Sequence, residues 1–178
     1  GRLTAMVIAT VMLLALAIGG TVAWLTSSTG PITNTFTPSH VSCAVDEEFD
    51  GRTGVKSDVR VKNTSDIPAF IRVKLVTYRT NYARQHIGGT AMVPAFTPGQ
   101  DWVEHNGYYY YTQPVQPDAY TGNLINTITL AHYDDADGGH QAIDVMAEAI
   151  QSVPEAAVKD AWGTGFSINT DGSLKVPN

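Results

Sequence analysis

The stretch Gly54–Tyr78, GVKSDVRVKNTSDIPAFIRVKLVTY, decides the fold class. In its first half Val55, Ser57, Val59 and Val61 alternate with Lys56, Asp58, Arg60 and Lys62. Successive side chains of a strand point to opposite faces, so this pattern predicts a strand with one buried and one wet face. Ile71, Val73 and Leu75 repeat the pattern against Arg72 and Lys74, and the turn-forming run NTSDIP separates the two. Two consecutive strands are therefore expected.

Working outward, the same texture continues. In DWVEHNGYYYYTQP (101–114), Asn106 and Gly107 both tolerate the positive φ of a type I′ turn, which predicts a hairpin. Tyr108 to Tyr111 sit on its second arm, where at most two of them can share a face, so core and cross-strand packing is the leading reading over ligand stacking. LINTITL (124–130) predicts another strand. QAIDVMAEAIQSV (141–153) fits a helix through Ile143, Met146, Ala147 and Ile150, and a strand through Ile143, Val145, Ala147 and Ala149; periodicity leaves both open. Pro154 can open a short helix through Trp162, with Gly163 as its left-handed stop and Glu155 and Lys159 matching the helix dipole. FSINTDGSLKV (166–176) then predicts an Asp-Gly hairpin. Short alternating segments between turn residues are the signature of an all-β domain.

The chain has 178 residues, of which 43% are hydrophobic and 16% charged, enough for one well-packed domain. A net charge of -6 without a Lys/Arg cluster argues against nucleic acid as a partner. The single cysteine, Cys43, excludes an intrachain disulfide framework and reads as a small buried or half-buried hydrophobe rather than a reactive or intermolecular thiol.

The amino-terminal end differs from the rest. Leu3 to Ile18 carries no charge and follows Arg2, as an export or anchoring segment does. Extended through Leu25 the uncharged run is long enough to span a bilayer with tilt. However, Gly19-Gly20 weakens a helix, and the small residues around Val22 suit signal peptidase cleavage after Ala23, which would leave Trp24 at the new terminus. The expected organisation is a signal peptide or anchor at 1–23, an extended segment at 24–40 and a β-domain at 41–178, with membrane contact only through the first of these.

No metalloprotease HExxH, nucleophile elbow, phosphate-binding loop or CxxC pair is present. The nearest approach to a metal site is HYDDADGGH (132–140), where Asp134, Asp135 and Asp137 offer hard oxygens for calcium and His132 and His140 offer imidazoles. The spacing fails the EF-hand pattern, and a polar turn is the leading reading. No cofactor and no enzymatic activity are expected.

Four segments carry a family resemblance: GGTVAWLTSSTGPITNTFT (19–37), VKNTSDIPAFIRVKL (61–75), DWVEHNGYYYYTQPVQPDAYTGNL (101–124) and IDVMAEAIQSVPEAAVKDAWG (143–163). Together they resemble the TasA and camelysin group of bacterial exported proteins with SipW-dependent-type signal peptides. The resemblance implies a jelly-roll-like antiparallel β-sandwich with one or two short helices, preceded by an apolar amino-terminal helix, and it implies a strand for AIDVMAEAIQ (142–151). It further implies a secreted subunit of the extracellular biofilm-matrix fibres of Gram-positive bacteria, processed by a signal peptidase and assembled head to tail. In such fibres the freed amino-terminal segment is a donor strand added to a neighbour's sheet. Residues 24–37 suit that role, being nearly uncharged and rich in Thr, with Trp24, Leu25, Ile32 and Phe36 as anchors and Pro31 requiring a bulge or a free edge. Folding back as the first strand of its own domain is the competing expectation for this segment. Two alternative functions stand beside the fibre subunit. One is a membrane-anchored cell-surface binding module using the Tyr-rich hairpin. The other is a surface metalloprotease, for which the chain lacks the zinc-protease motif.

Overall fold

The computed structural model describes residues 41–81, 83–89, 91–132 and 139–178. The expectations for the signal segment, for the cleavage site at Ala23 and Trp24, and for the anchors Leu25, Ile32 and Phe36 fall outside these residues.

The described chain forms ten strands and one helix. In order these are β1 (Cys43–Asp50), β2 (Val55–Asn63), β3 (Ala69–Thr80), β4 (His86–Ile87), β5 (Trp102–His105), β6 (Tyr108–Val115), β7 (Ile125–Thr129), β8 (His140–Gln151), α1 (Glu155–Trp162), β9 (Ser167–Ile168) and β10 (Leu174–Lys175). All strand pairs are antiparallel. The fold is all-β, as the alternation predicts.

One sheet has the order β1-β2-β7. The other is built around β3, which pairs with β8 along its whole length, from Ala69 opposite Gln151 to Thr80 opposite His140. The other side of β3 is shared by β6 at its beginning and β4 at its end, and β5 lies beyond β6. Both sheets feed one apolar core, with Val59 and Val61 from β2 and Ile125 and Ile128 from β7 meeting Ile71, Val73, Trp102, Val115 and Ile143. Each such side chain contributes on the order of 1.5–3 kcal/mol when removed from water.

The Asn106-Gly107 turn is present, with φ values of 51° and 77° and His105 paired with Tyr108 across it. The tyrosines divide by face: Tyr109 and Tyr111 pack toward the core between the sheets, while Tyr108 and Tyr110 face outward. Tyr110 is nonetheless 97% buried, because α1 and the β9–β10 hairpin form a cap over that part of the outer face. Its ring lies 4.9 Å from Phe166 and 5.3 Å from Trp162, and Phe70, Val158 and Leu174 complete this second cluster.

Three expectations are corrected. Strict alternation places Lys56 on the wet face of β2, yet it is 4% exposed, and Val55 and Ser57 are only half-buried. The cause is a β-bulge: Asp46 pairs with Arg60 but Glu48 pairs with Ser57, so Asp58 and Val59 together oppose Glu47. Asp58 takes a φ of 53° there, the alternation shifts, and buried Lys56 is neutralised by Glu47 at 2.5 Å. At the end of α1, Gly163 has φ 112° and ψ 158°, outside the left-handed helical region; it closes the last turn through its N–H to Lys159 O and leaves in an extended direction. The last hairpin also has a wider loop than an Asp-Gly turn. Ile168 pairs with Leu174, and Asp171 accepts hydrogen bonds from the Ser173 N–H and hydroxyl instead of turning the chain alone.

One polar residue ties the sheets' connections together. Asn63, at the end of β2, is completely buried; its amide donates to Ile67 O at 2.9 Å and Val115 O at 2.8 Å, and its oxygen accepts from the Ser65 N–H at 2.9 Å.

Candidate functional site

Two features stand out on the described surface: a free strand edge and a cavity at one end of the sheets.

The edge belongs to β8. This strand has twelve residues, pairs with β3 without any register shift, and on its other side meets, among the described residues, no strand but only Ala131 and His132 at its first two residues. Alternate residues along it therefore turn N–H and C=O groups outward, a ready template for a further strand. Proteins normally guard such edges with short strands, bulges, lysines or prolines. The remaining edges follow that practice. β5 and β4 have only four and two residues, β7 has five, and β1 carries Asp46, Glu47, Glu48 and Asp50 and faces the bulge. β8, HQAIDVMAEAIQ, has no Lys, Arg, Pro or Gly. Its two acids face outward and are already engaged, Glu148 by Arg72 at 2.6 Å and Asp144 by the Tyr78 hydroxyl at 3.1 Å.

Beneath this edge the core is open. Val145, Ala147 and Ala149 face the core but remain half-buried, as do Leu75 and Cys43. The small alanines leave an apolar strip that the described strands do not cover. Cys43, where the chain enters β1, borders the strip: burial pushes its thiol up, and the nearby Glu148 carboxylate adds to the effect. That makes Cys43 a packing residue rather than a nucleophile, since a raised thiol carries little thiolate near neutral pH.

The cavity has a volume of about 540 Å³. The β1–β2 connection supplies Arg52 and Gly54, the β3–β4 connection supplies Arg84, and the flanks of the β7–β8 connection supply Leu130, His132 and His140. His132 and His140 oppose each other as an antiparallel bridge, which brings the two ends of HYDDADGGH together. Asp134, Asp135 and Asp137, the calcium candidates, lie outside the described residues. Among the described residues no group of three or more His, Cys, Asp or Glu side chains is placed to hold a metal.

The outer face of the larger sheet carries a cation–aromatic row. The Arg72 guanidinium lies 4.3 Å from the Tyr108 ring centroid and 5.4 Å from that of Trp162, and Lys74 lies 5.2 Å from Tyr108. These contacts hold Tyr108 beside the cap.

Among the described residues no helix is long and apolar enough to cross a membrane. Comparison with family models, curated proteins and solved structures finds no match to this chain. The functional reading thus rests on the sequence and the geometry. Sequence reasoning missed the β8 edge, since its openness depends on which strands pair. It also missed the cavity, whose walls come from three separate connections.

Proposed function

We propose that this chain is a secreted, non-enzymatic structural subunit that assembles head to tail into extracellular fibres, with a jelly-roll domain as its body. The observation that carries the reading is the unguarded β8 edge over a half-buried apolar strip. A strand added to β8 would satisfy its outward backbone groups and place alternate side chains over Val145, Ala147 and Ala149. The segment 24–37 has the composition for that position: it is nearly uncharged, so it adds no repulsion beside Asp144 and Glu148, and Trp24, Leu25, Ile32 and Phe36 offer the anchors. Given by one copy to the next, it produces an interface that does not close on itself and therefore propagates as a filament. The resemblance to the TasA and camelysin group supports the same reading, including export to the cell surface or matrix after cleavage at Ala23.

Electron microscopy of the exported chain tests this with two variants. Removal of 24–37 should leave a folded monomer without filaments. Ala147→Lys, which directs a charge into the strip beneath the edge, should also abolish filaments while the circular dichroism spectrum is kept. Filaments from the deletion variant would overturn the donor strand; filaments from a folded Ala147→Lys chain would move the acceptor away from β8.

A further inference from the structure

We infer that the cavity between the β1–β2, β3–β4 and β7–β8 connections is a binding site for an anionic sugar, recognised through its carboxylate or phosphate. The argument begins with how the chain uses its cations. Lys56, Arg60, Lys62, Arg72 and Lys159 are each paired with a carboxylate. In a chain with 17 acidic and 11 basic residues, pairing is the expected condition of a cation. Arg52, Lys74, Arg84 and Lys175 have no carboxylate partner among the described residues, and of these only the two arginines line the cavity. Both are exposed, and among the described residues neither guanidinium has a hydrogen bond or ion pair.

Asp50, two residues before Arg52, is committed elsewhere. It accepts from the Arg52 backbone N–H at 2.9 Å and from the Thr53 hydroxyl at 2.8 Å, so it shapes the turn that presents Arg52. Asp134, Asp135 and Asp137 lie outside the described residues. Guanidinium groups match carboxylate and phosphate oxygens in a two-pronged fashion, so two of them on one cavity favour an anion over a neutral ligand. His132 and His140 add ring nitrogens on the same wall.

The rest of the lining selects for size and shape. About 540 Å³ is within the range of small-molecule sites and exceeds what a bare inorganic ion fills. Phe49, 53% exposed, offers an aromatic ring at the rim, and buried Leu130 offers an apolar wall. An aromatic ring beside cations and hydrogen-bonding groups suits a sugar, which presents C–H faces to the ring and hydroxyls to the polar side. The site touches β8 only at its first two residues, His140 and Gln141, and stands whether or not the chain forms fibres.

Saturation-transfer difference NMR on the full chain, with glucuronate, glucose 6-phosphate and glucose as probes, tests the assignment. Glucuronate or glucose 6-phosphate should give transfer at millimolar concentration and glucose should not; which anion binds more tightly separates a uronate from a sugar-phosphate source. The double variant Arg52→Gln, Arg84→Gln should weaken the bound anion by about tenfold or more, since charge-assisted hydrogen bonds are lost. Both side chains are exposed, so the variant should keep the fold, checked by its circular dichroism. Equal binding of glucose, absence of binding by either anion, or undiminished binding to the folded double variant would each overturn the proposal. Binding abolished by a calcium chelator would also overturn it, assigning the anion to a bridging cation instead of the arginines.

Discussion

Phe70 and Ile71 are neighbours on β3, both completely buried, and they belong to different cores. Ile71 points between the sheets, whereas Phe70 points outward into the cluster closed by α1 and the β9–β10 hairpin. One strand thus holds the body of the domain on one face and its cap on the other.

The two faces should respond differently to truncation. Ile71→Ala is expected to cost about 2–5 kcal/mol and to lower the midpoint of global unfolding in urea. Phe70→Ala, of similar local cost, should first loosen the cap, read by hydrogen exchange as lost protection in α1 and β9 while β2 and β7 stay protected. Uniform loss of protection in the Phe70 variant would show that cap and body unfold as one unit.

Asn63 should be the least replaceable polar residue. Asn63→Ala leaves the carbonyls of Ile67 and Val115 without their amide donor inside the protein, at an expected cost of roughly 2–4 kcal/mol for the linked bonds. Asn63→Asp should cost more at neutral pH, because a carboxylate would face two carbonyl oxygens. Urea titration of both variants checks the order.

At the bulge, Asp58 tolerates a conformation that β-branched residues resist. Asp58→Val is expected to cost about 1–3 kcal/mol from the positive φ alone. Asp58→Gly should cost less than Asp58→Val, since glycine accepts that φ and the main loss is the hydrogen bond from the Asn123 amide at 2.8 Å. Equal destabilisation by thermal melting would place the importance of the site in that hydrogen bond.

The cap should loosen in acid. The Lys159 ammonium, followed by the Ile168 N–H, holds the Glu155 carboxyl below its ordinary value of 4.5. A lowered carboxylate pKa stabilises the folded state fully above that ordinary value and loses its contribution as pH falls through the folded one. The protection of the Ile168 amide, bonded to Glu155 at 2.8 Å, relative to its intrinsic exchange rate should therefore fall below about pH 4.5. Glu155→Gln should flatten that dependence; an unchanged acid response would assign it to other carboxylates.

Much of this architecture was legible where local signals agree with the final environment. Val59, Val61, Ile71 and Val73 alternate because they line one core, and Asn106-Gly107 turns because both residues accept positive φ. β1 gave no such signal, since CAVDEEFD is an acid-rich edge strand with little apolar periodicity to detect. In β8 the alanines at 147 and 149 blur the helix and strand periods, and only pairing with β3 decides between them. The cavity was illegible for a different reason. Arg52, Arg84 and His132 are far apart in sequence and meet only because three connections end at the same pole.

The bulge at Asp58 has a consequence for how the first two strands find each other. On one side of it β2 buries Val59 and Val61, and on the other it buries Lys56 against its carboxylate partner. A one-residue slip of β1 along β2 would carry Glu47 away from that ammonium while misplacing the extra residue. The irregularity therefore acts as an alignment mark: a regular ladder could settle in several neighbouring offsets, whereas this one is neutral and continuous in a single offset.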